Sequence, residues 1–132
     1  MNVIPDTVIW SMILRRSQPN TALQKLFSDL IEEGRVLLPG IIKKELLSGI
    51  INEVQFENLA SKLHYFTSIH ATDEDHILAA KYFNKCLKFG VQGGHIDFLI
   101  VAMAVNNSAM ILTKDKDFEY YRRHIDFELM LV

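Results

Sequence analysis

The sequence has one cysteine, Cys86, three prolines, one tryptophan and a formal net charge of only -2 over 132 residues. A lone thiol excludes an internal disulfide and any zinc site built on cysteines. A reducing, cytoplasmic setting is the simplest reading of that scarcity. The near balance of charge excludes a generally basic nucleic-acid binder, so a polyanionic partner would have to be met locally or through metal ions. No apolar run is long enough for a membrane span: Ile96 to Val105 is interrupted by Asp97 and followed by Asn106 and Asn107. The N-terminus lacks the basic-then-apolar layout of a secretory signal, since Pro5 and Asp6 arrive at once. Internal repeats, low-complexity stretches and Gly/Ser/Pro linkers are also missing. What is present is a chain 49% hydrophobic and 23% charged. That composition predicts one globular domain over residues 1–132, with a sizeable core and no disorder.

Apolar patterning divides the chain into short strands and amphipathic helices. Val3-Ile4-Pro5 reads as a strand ending at Asp6, with Pro5 tolerated only as its last residue. Val8 to Leu14 reads as a short helix closed by Arg15-Arg16. Asn20 caps a second helix carrying Leu23, Leu26, Phe27, Leu30 and Ile31, which Gly34 ends. Arg35 to Pro39 is a second strand, followed by a helix from Ile41 to Leu47. A further helix is predicted over roughly Glu53 to Phe66, then a weak strand over Thr67 to His70. Thr72 before Asp73-Glu74-Asp75 is a strong helix start, and Gly90 ends that helix. Gln92-Gly93-Gly94 reads as the most flexible loop. Ile96 to Val105 predicts a buried helix, Ala109 to Leu112 a buried strand, and Phe127 to Val132 a last strand. Lys114 to Arg123 is polar and aromatic and carries no assignment. Strands alternating with helices predict an α/β domain with a mostly parallel sheet. In such sheets ligands collect at the carboxyl ends of the strands.

Acidic residues fall at those ends. Asp6 follows the first strand, and Thr113, Asp115 and Asp117 follow Ala109 to Leu112. Glu45 lies in an apolar helix after the second strand, and Asp97 opens the buried helix. Each has an ordinary structural reading as well. Asp6 would cap a helix, Asp97 would complement a helix dipole, Glu45 would sit on a solvated face, and Asp115 and Asp117 would form a turn. The joint pattern favours a common site. Clustered carboxylates repel one another unless protonated or neutralised by a cation. Hard divalent ions, Mg²⁺ or Mn²⁺, suit oxygen donors, and such a centre suits phosphodiester hydrolysis without a side-chain nucleophile.

The sequence resembles the PIN-domain ribonucleases, in the small single-domain form of the VapC-type toxins of toxin–antitoxin pairs. The resemblance covers nearly the whole chain and rests on four segments: Ile4 to Trp10, Leu38 to Gly49, Ile96 to Ala104 and Ile111 to Phe118. It implies a three-layer α/β/α sandwich with a mostly parallel central sheet. By resemblance Asp6, Glu45, Asp97 and Asp115 are the catalytic acids, with Asp6, Asp97 and Asp115 holding Mg²⁺ or Mn²⁺. Thr113 and Asp117 match auxiliary positions, a hydroxyl that orients a ligand or water and an acid before a core aromatic. The resemblance also implies an RNA substrate, a cognate antitoxin whose tail enters the acidic groove, a homodimer and no membrane. Val8 departs from the family pattern, which favours a small polar residue there, and Pro5 replaces the usual apolar strand residue.

Other residues carry paired readings. Arg15-Arg16, Lys43-Lys44, Lys114, Lys116 and Arg122-Arg123 form either a basic rim for an RNA backbone or ordinary solvated charge. Trp10, Tyr65, Tyr82, Tyr120 and Tyr121 either stack bases or fill the core, and Trp10 with Ile13 offers a dimer face. His95 touches substrate or metal, or is a plain surface residue. The apolar helix from Phe56 to Phe66 fits a partner surface. Two competing functions stay open at this point. One is a catalytically degenerate PIN module that binds RNA or protein; the other is a metal-dependent phosphatase-like domain.

Overall fold

The computed structural model describes residues 1–14 and 20–132. Arg15-Arg16 and Pro19, used above as a helix end, a basic pair and an element edge, lie outside the described residues. The strands are β1 (Asn2–Pro5), β2 (Leu37–Pro39), β3 (Thr67–Ile69), β4 (Ala109–Thr113) and β5 (Glu128–Leu131). The helices are α1 (Thr7–Leu14), α2 (Thr21–Glu32), α3 (Gly40–Leu47), α4 (Glu53–His64), α5 (Asp73–Lys88), α6 (His95–Asn106) and α7 (Asp117–Arg122).

β4 pairs in parallel with both β1 and β5, and β2 pairs in parallel with β3. A parallel bridge between Val3 and Val36 joins the two groups. The resulting order is β3-β2-β1-β4-β5, and the fold is a three-layer α/β/α sandwich. The strand order reverses between β1 and β4. Crevices at such reversals, outside the carboxyl ends of the strands, are where open α/β sheets bind ligands. Asp6 and Thr113 stand at that crevice.

Apolar burial explains the strands. Val3, Ile4, Ile111 and Leu112 have no exposed surface, as expected of a parallel sheet covered on both faces. Pro5 is the last residue of β1, a strand position that tolerates proline. Helix ends follow their caps. Asn20 accepts from the Leu23 amide at 3.1 Å. Thr72 and Asp75 form a reciprocal capping box, and Asn106 donates to the second Asp75 oxygen at 2.7 Å, tying α5 to α6. Gly90 ends α5 at φ +78°, a conformation costly for residues with a Cβ. In α6, Phe98 and Ile100 to Ala104 are all buried, so this helix is core on nearly every side.

Two expectations change, and two paired readings resolve to the core. The loop at Gly93 is a point of close packing: a Cβ there would come within 2.6 Å of the Phe98 ring and 2.7 Å of the Tyr121 ring. Residues 117–122, unassigned from sequence, form α7. Trp10 is neither a base-stacking residue nor a dimer face. It is 1% exposed, in edge-to-face contact with Phe27 and Phe66. Tyr121 is likewise buried. Cys86 is fully buried and serves as a small apolar filler. Among the described residues no helix is long and apolar enough to cross a membrane.

Candidate metal centre

Each acid is placed by the element that precedes or carries it. The Asp6 amide donates to the Leu112 carbonyl at 3.0 Å, extending the β1–β4 pairing by one residue. One Asp6 carboxylate oxygen then accepts from the Ile9 amide at 3.2 Å, as an N-cap of α1. The other accepts from the Thr113 hydroxyl. The capping role and the site role of Asp6 therefore coincide. Thr113, fully buried at the end of β4, also accepts from the Asp115 amide at 2.9 Å. Asp115 in turn accepts from the Asp117 amide at 2.9 Å, the side-chain-to-backbone closure of a turn. Asp97 stands in the first turn of α6 and accepts from the Tyr121 hydroxyl at 2.8 Å. Glu45, in the second turn of α3, accepts from the Thr7 hydroxyl at 3.1 Å. Its other oxygen, Oε1, is buried and has no hydrogen-bond partner.

The structure brings Asp6, Glu45, Asp97 and Asp115 to one cavity of about 160 Å³, walled on its apolar side by Ile96, Ile100 and Phe118. Asp117 does not line it. That side chain is exposed, and the residue serves the turn through its amide. His95 lies outside it too. Its ring stacks on Phe83 at 4.6 Å and faces a larger apolar cleft shared with His76. Arg122 and Arg123 line a separate depression beside Leu129 and Leu131, and the Lys43 ammonium donates to Ser68 at 2.8 Å. Sequence reasoning missed Thr7 and undervalued Tyr121. Thr7 adjoins Asp6, which was its one available signal. Tyr121 is 24 residues from Asp97, and no local pattern connects them.

A family model described as the PIN domain matches residues 3–123. The chain belongs to the PIN-domain family. Solved structures agree with the PIN fold. FitAcB from Neisseria gonorrhoeae aligns at a TM-score of 0.79 and 22% identity, over 96% of this chain and 95% of that one. VapBC2 from Rickettsia felis, bound to a DNA fragment from its promoter, aligns at 0.80 and 17%, over 100% and 99%. A toxin–antitoxin complex from Klebsiella pneumoniae aligns at 0.68 and 17%, over 89% and 90%. No curated protein is similar enough to count as a match.

Electrostatics in the PIN cavity are strained in the way a missing positive charge would relieve. Burial pushes the Asp6 carboxyl above its ordinary value of 3.8; the Thr113 and Ile9 donors oppose this, and the nearby Asp115 charge adds to it. Asp97 is also pushed up, by burial first and then by Asp115, Asp117 and Asp6, against the opposing Tyr121 hydrogen bond. Among the described residues no three His, Cys, Asp or Glu side chains form a ready-made ligand cage. Mg²⁺ does not require one: it usually takes one or two carboxylates and keeps several waters. All-oxygen donors, mutual repulsion and the unpartnered Glu45 oxygen fit such an ion.

These shifts fix the sign of a pH effect on the metal-free protein. A carboxyl whose folded value is raised is more protonated folded than unfolded, so its contribution to stability is fully present below 3.8 and is lost as pH rises through the raised folded value. In urea unfolding in EDTA, the stability of wild type relative to Asp97→Asn is expected to fall as pH climbs above 3.8. Equal slopes in the two proteins would contradict the origin assigned to the shift.

Proposed function

We infer that the protein is a divalent-metal-dependent endoribonuclease acting as the toxin of a toxin–antitoxin pair. The observation that carries this reading is the convergence of Asp6, Glu45, Asp97 and Asp115, from the ends of β1 and β4 and from α3 and α6, on one cavity at the strand-order reversal. Asp6, Asp97 and Asp115 would hold the Mg²⁺ or Mn²⁺. When bound, the ion polarises the phosphate and makes water a nucleophile near neutral pH. Thr113 keeps Asp6 and the Asp115 backbone in fixed relation by bonding both. Glu45, anchored by Thr7 through one oxygen, leaves Oε1 to take the proton of the attacking water. The water oxygen bonds to phosphorus, the bond from phosphorus to the leaving ribose oxygen breaks, and that oxygen is protonated from solvent.

Retention of every acid weighs against a binding-only PIN module. Val8, at the position where a phosphatase of this general design needs a second acid, weighs against that option. The likeness to a toxin–antitoxin complex supports a cognate antitoxin as partner. The exposed Ile51, Val54 and Tyr65 around α4 offer apolar surface for one. A cytoplasmic homodimer completes the reading.

The test is direct. Purified protein is expected to cleave single-stranded RNA with Mg²⁺ or Mn²⁺ and to lose the activity in EDTA. Cleavage that persists unchanged in excess chelator would end the metal mechanism. Absence of cleavage with either ion, in protein shown to be folded, would favour the binding module.

A further inference from the structure

We propose that Tyr121 is a positioning residue for the candidate centre: its buried hydroxyl holds Asp97 in the orientation that an ion requires. The proposal rests on the reading above, in which Asp97 is a metal ligand.

Three features of the structure lead to it. The Tyr121 ring is clamped. It packs on Phe98 at 4.7 Å between centroids and edge-on to Phe118 at 5.4 Å. Gly93 presses against both the Tyr121 and Phe98 rings so closely that a Cβ there would overlap them. The hydroxyl therefore has little freedom, and its bond to Asp97 Oδ2, at 2.8 Å, is set by the core rather than by a mobile side chain. Secondly, Asp97 lines the cavity together with Asp6 and Asp115, and the Tyr121 hydroxyl engages one of its two oxygens, Oδ2. Thirdly, the three segments involved, the Gly93 loop, the start of α6 and α7, serve one geometry. The glycine clears space for the ring, the ring fixes the hydroxyl, and the hydroxyl fixes the acid.

Groups that orient metal ligands in this way matter to affinity even though they never touch the ion. A purely structural tyrosine would behave differently. Loss of its hydroxyl would change stability and leave ion binding alone.

The experiment is a calorimetric Mn²⁺ titration of wild type, Tyr121→Phe, Asp97→Asn and the double variant, with melting temperatures in EDTA. The Phe variant keeps the ring and its packing, so it is expected to fold. Its Mn²⁺ affinity is expected to fall by roughly 10- to 100-fold, the usual loss when a partner of a metal ligand is removed. In the Asp97→Asn background the same change should add no further loss. RNA cleavage by Tyr121→Phe should recover as Mn²⁺ is raised, with KM for RNA unchanged. If Tyr121→Phe binds Mn²⁺ as tightly as wild type while Asp97→Asn binds weakly, the positioning role is overturned and the metal reading stands. If Asp97→Asn binds as wild type does, or wild type binds no Mn²⁺, the metal reading fails and takes the positioning role with it. Additive losses in the double variant would show that Tyr121 acts on something other than Asp97, and would also overturn it.

Discussion

Asp97→Asn is expected to lower RNA cleavage by at least ~100-fold while leaving the metal-free protein as stable as wild type, or more stable. The first half follows from what a bound ion supplies. Several kcal/mol of transition-state charge stabilisation, at about 1.4 kcal/mol per tenfold, corresponds to roughly 10²–10³ in rate. The second half follows from the cost of the charge itself. Asp97 is pushed toward protonation by burial and by three neighbouring acids, so a neutral amide of the same shape relieves the folded state. The amide oxygen also still accepts from Tyr121, whose hydroxyl is otherwise left buried without a partner.

Asp6→Asn should lose as much activity but cannot share the gain in stability. Asp6 accepts on both oxygens, from the Ile9 amide and the Thr113 hydroxyl, and an amide offers only one acceptor. Its NH₂ would oppose either the Ile9 amide or the Thr113 hydroxyl, whose oxygen already accepts from the Asp115 amide. Paired measurements of cleavage rate and melting temperature separate the two variants. Mg²⁺ should raise the melting temperature of wild type and not that of Asp97→Asn, since only a ligand bound to the folded state stabilises it. An Asp97→Asn protein that cleaves RNA at the wild-type rate would remove Asp97 from the site.

The site was largely legible in the sequence because parallel strands impose direction. Once Val3-Ile4-Pro5 and Ala109 to Leu112 are read as neighbouring parallel strands, Asp6 and Thr113 must emerge at the same edge. Only the pairing β1–β4 had to be supplied by the fold. Glu45 and Asp97 sit at helix positions that follow from the same alternation of strand and helix. What stayed hidden is side-chain pairing across the chain. Thr7 with Glu45 spans 38 residues and Tyr121 with Asp97 spans 24, and neither leaves a periodic trace. Gly93 was misread because composition reports only that glycine permits freedom. Here the missing side chain permits the close approach of two rings. The helix α7 escaped notice because it has six residues and no side-chain cap at its start, so the start signals that revealed α2 and α5 were missing. Tyr121 and Trp10 carried two readings from sequence, base stacking or core, and burial assigns both to the core.

Trp10→Ala is expected to be the most destabilising single truncation near the site, at about 3–5 kcal/mol, the usual cost of emptying a buried aromatic position. Against a total of roughly 5–15 kcal/mol for an ordinary domain, that loss leaves little margin at physiological temperature. The indole meets Phe27 at 5.0 Å and Phe66 at 4.8 Å between centroids, both edge-to-face, so its removal unsupports α2 and the start of β3 together. Its Nε1 also donates to the Pro5 carbonyl at 3.1 Å, which ties α1 back to the strand end that presents Asp6. The two contributions can be separated with Trp10→Phe, which keeps most of the ring burial and removes the donor. A buried carbonyl left without its partner costs about 1–3 kcal/mol, so the Phe variant should fall between wild type and Ala. Urea unfolding with an unchanged slope would assign these losses to the folded state rather than to a more compact unfolded chain. A Trp10→Ala protein within ~1 kcal/mol of wild type would show that the contacts of the indole with Phe27, Phe66 and Pro5 do not hold the β1–α1 junction.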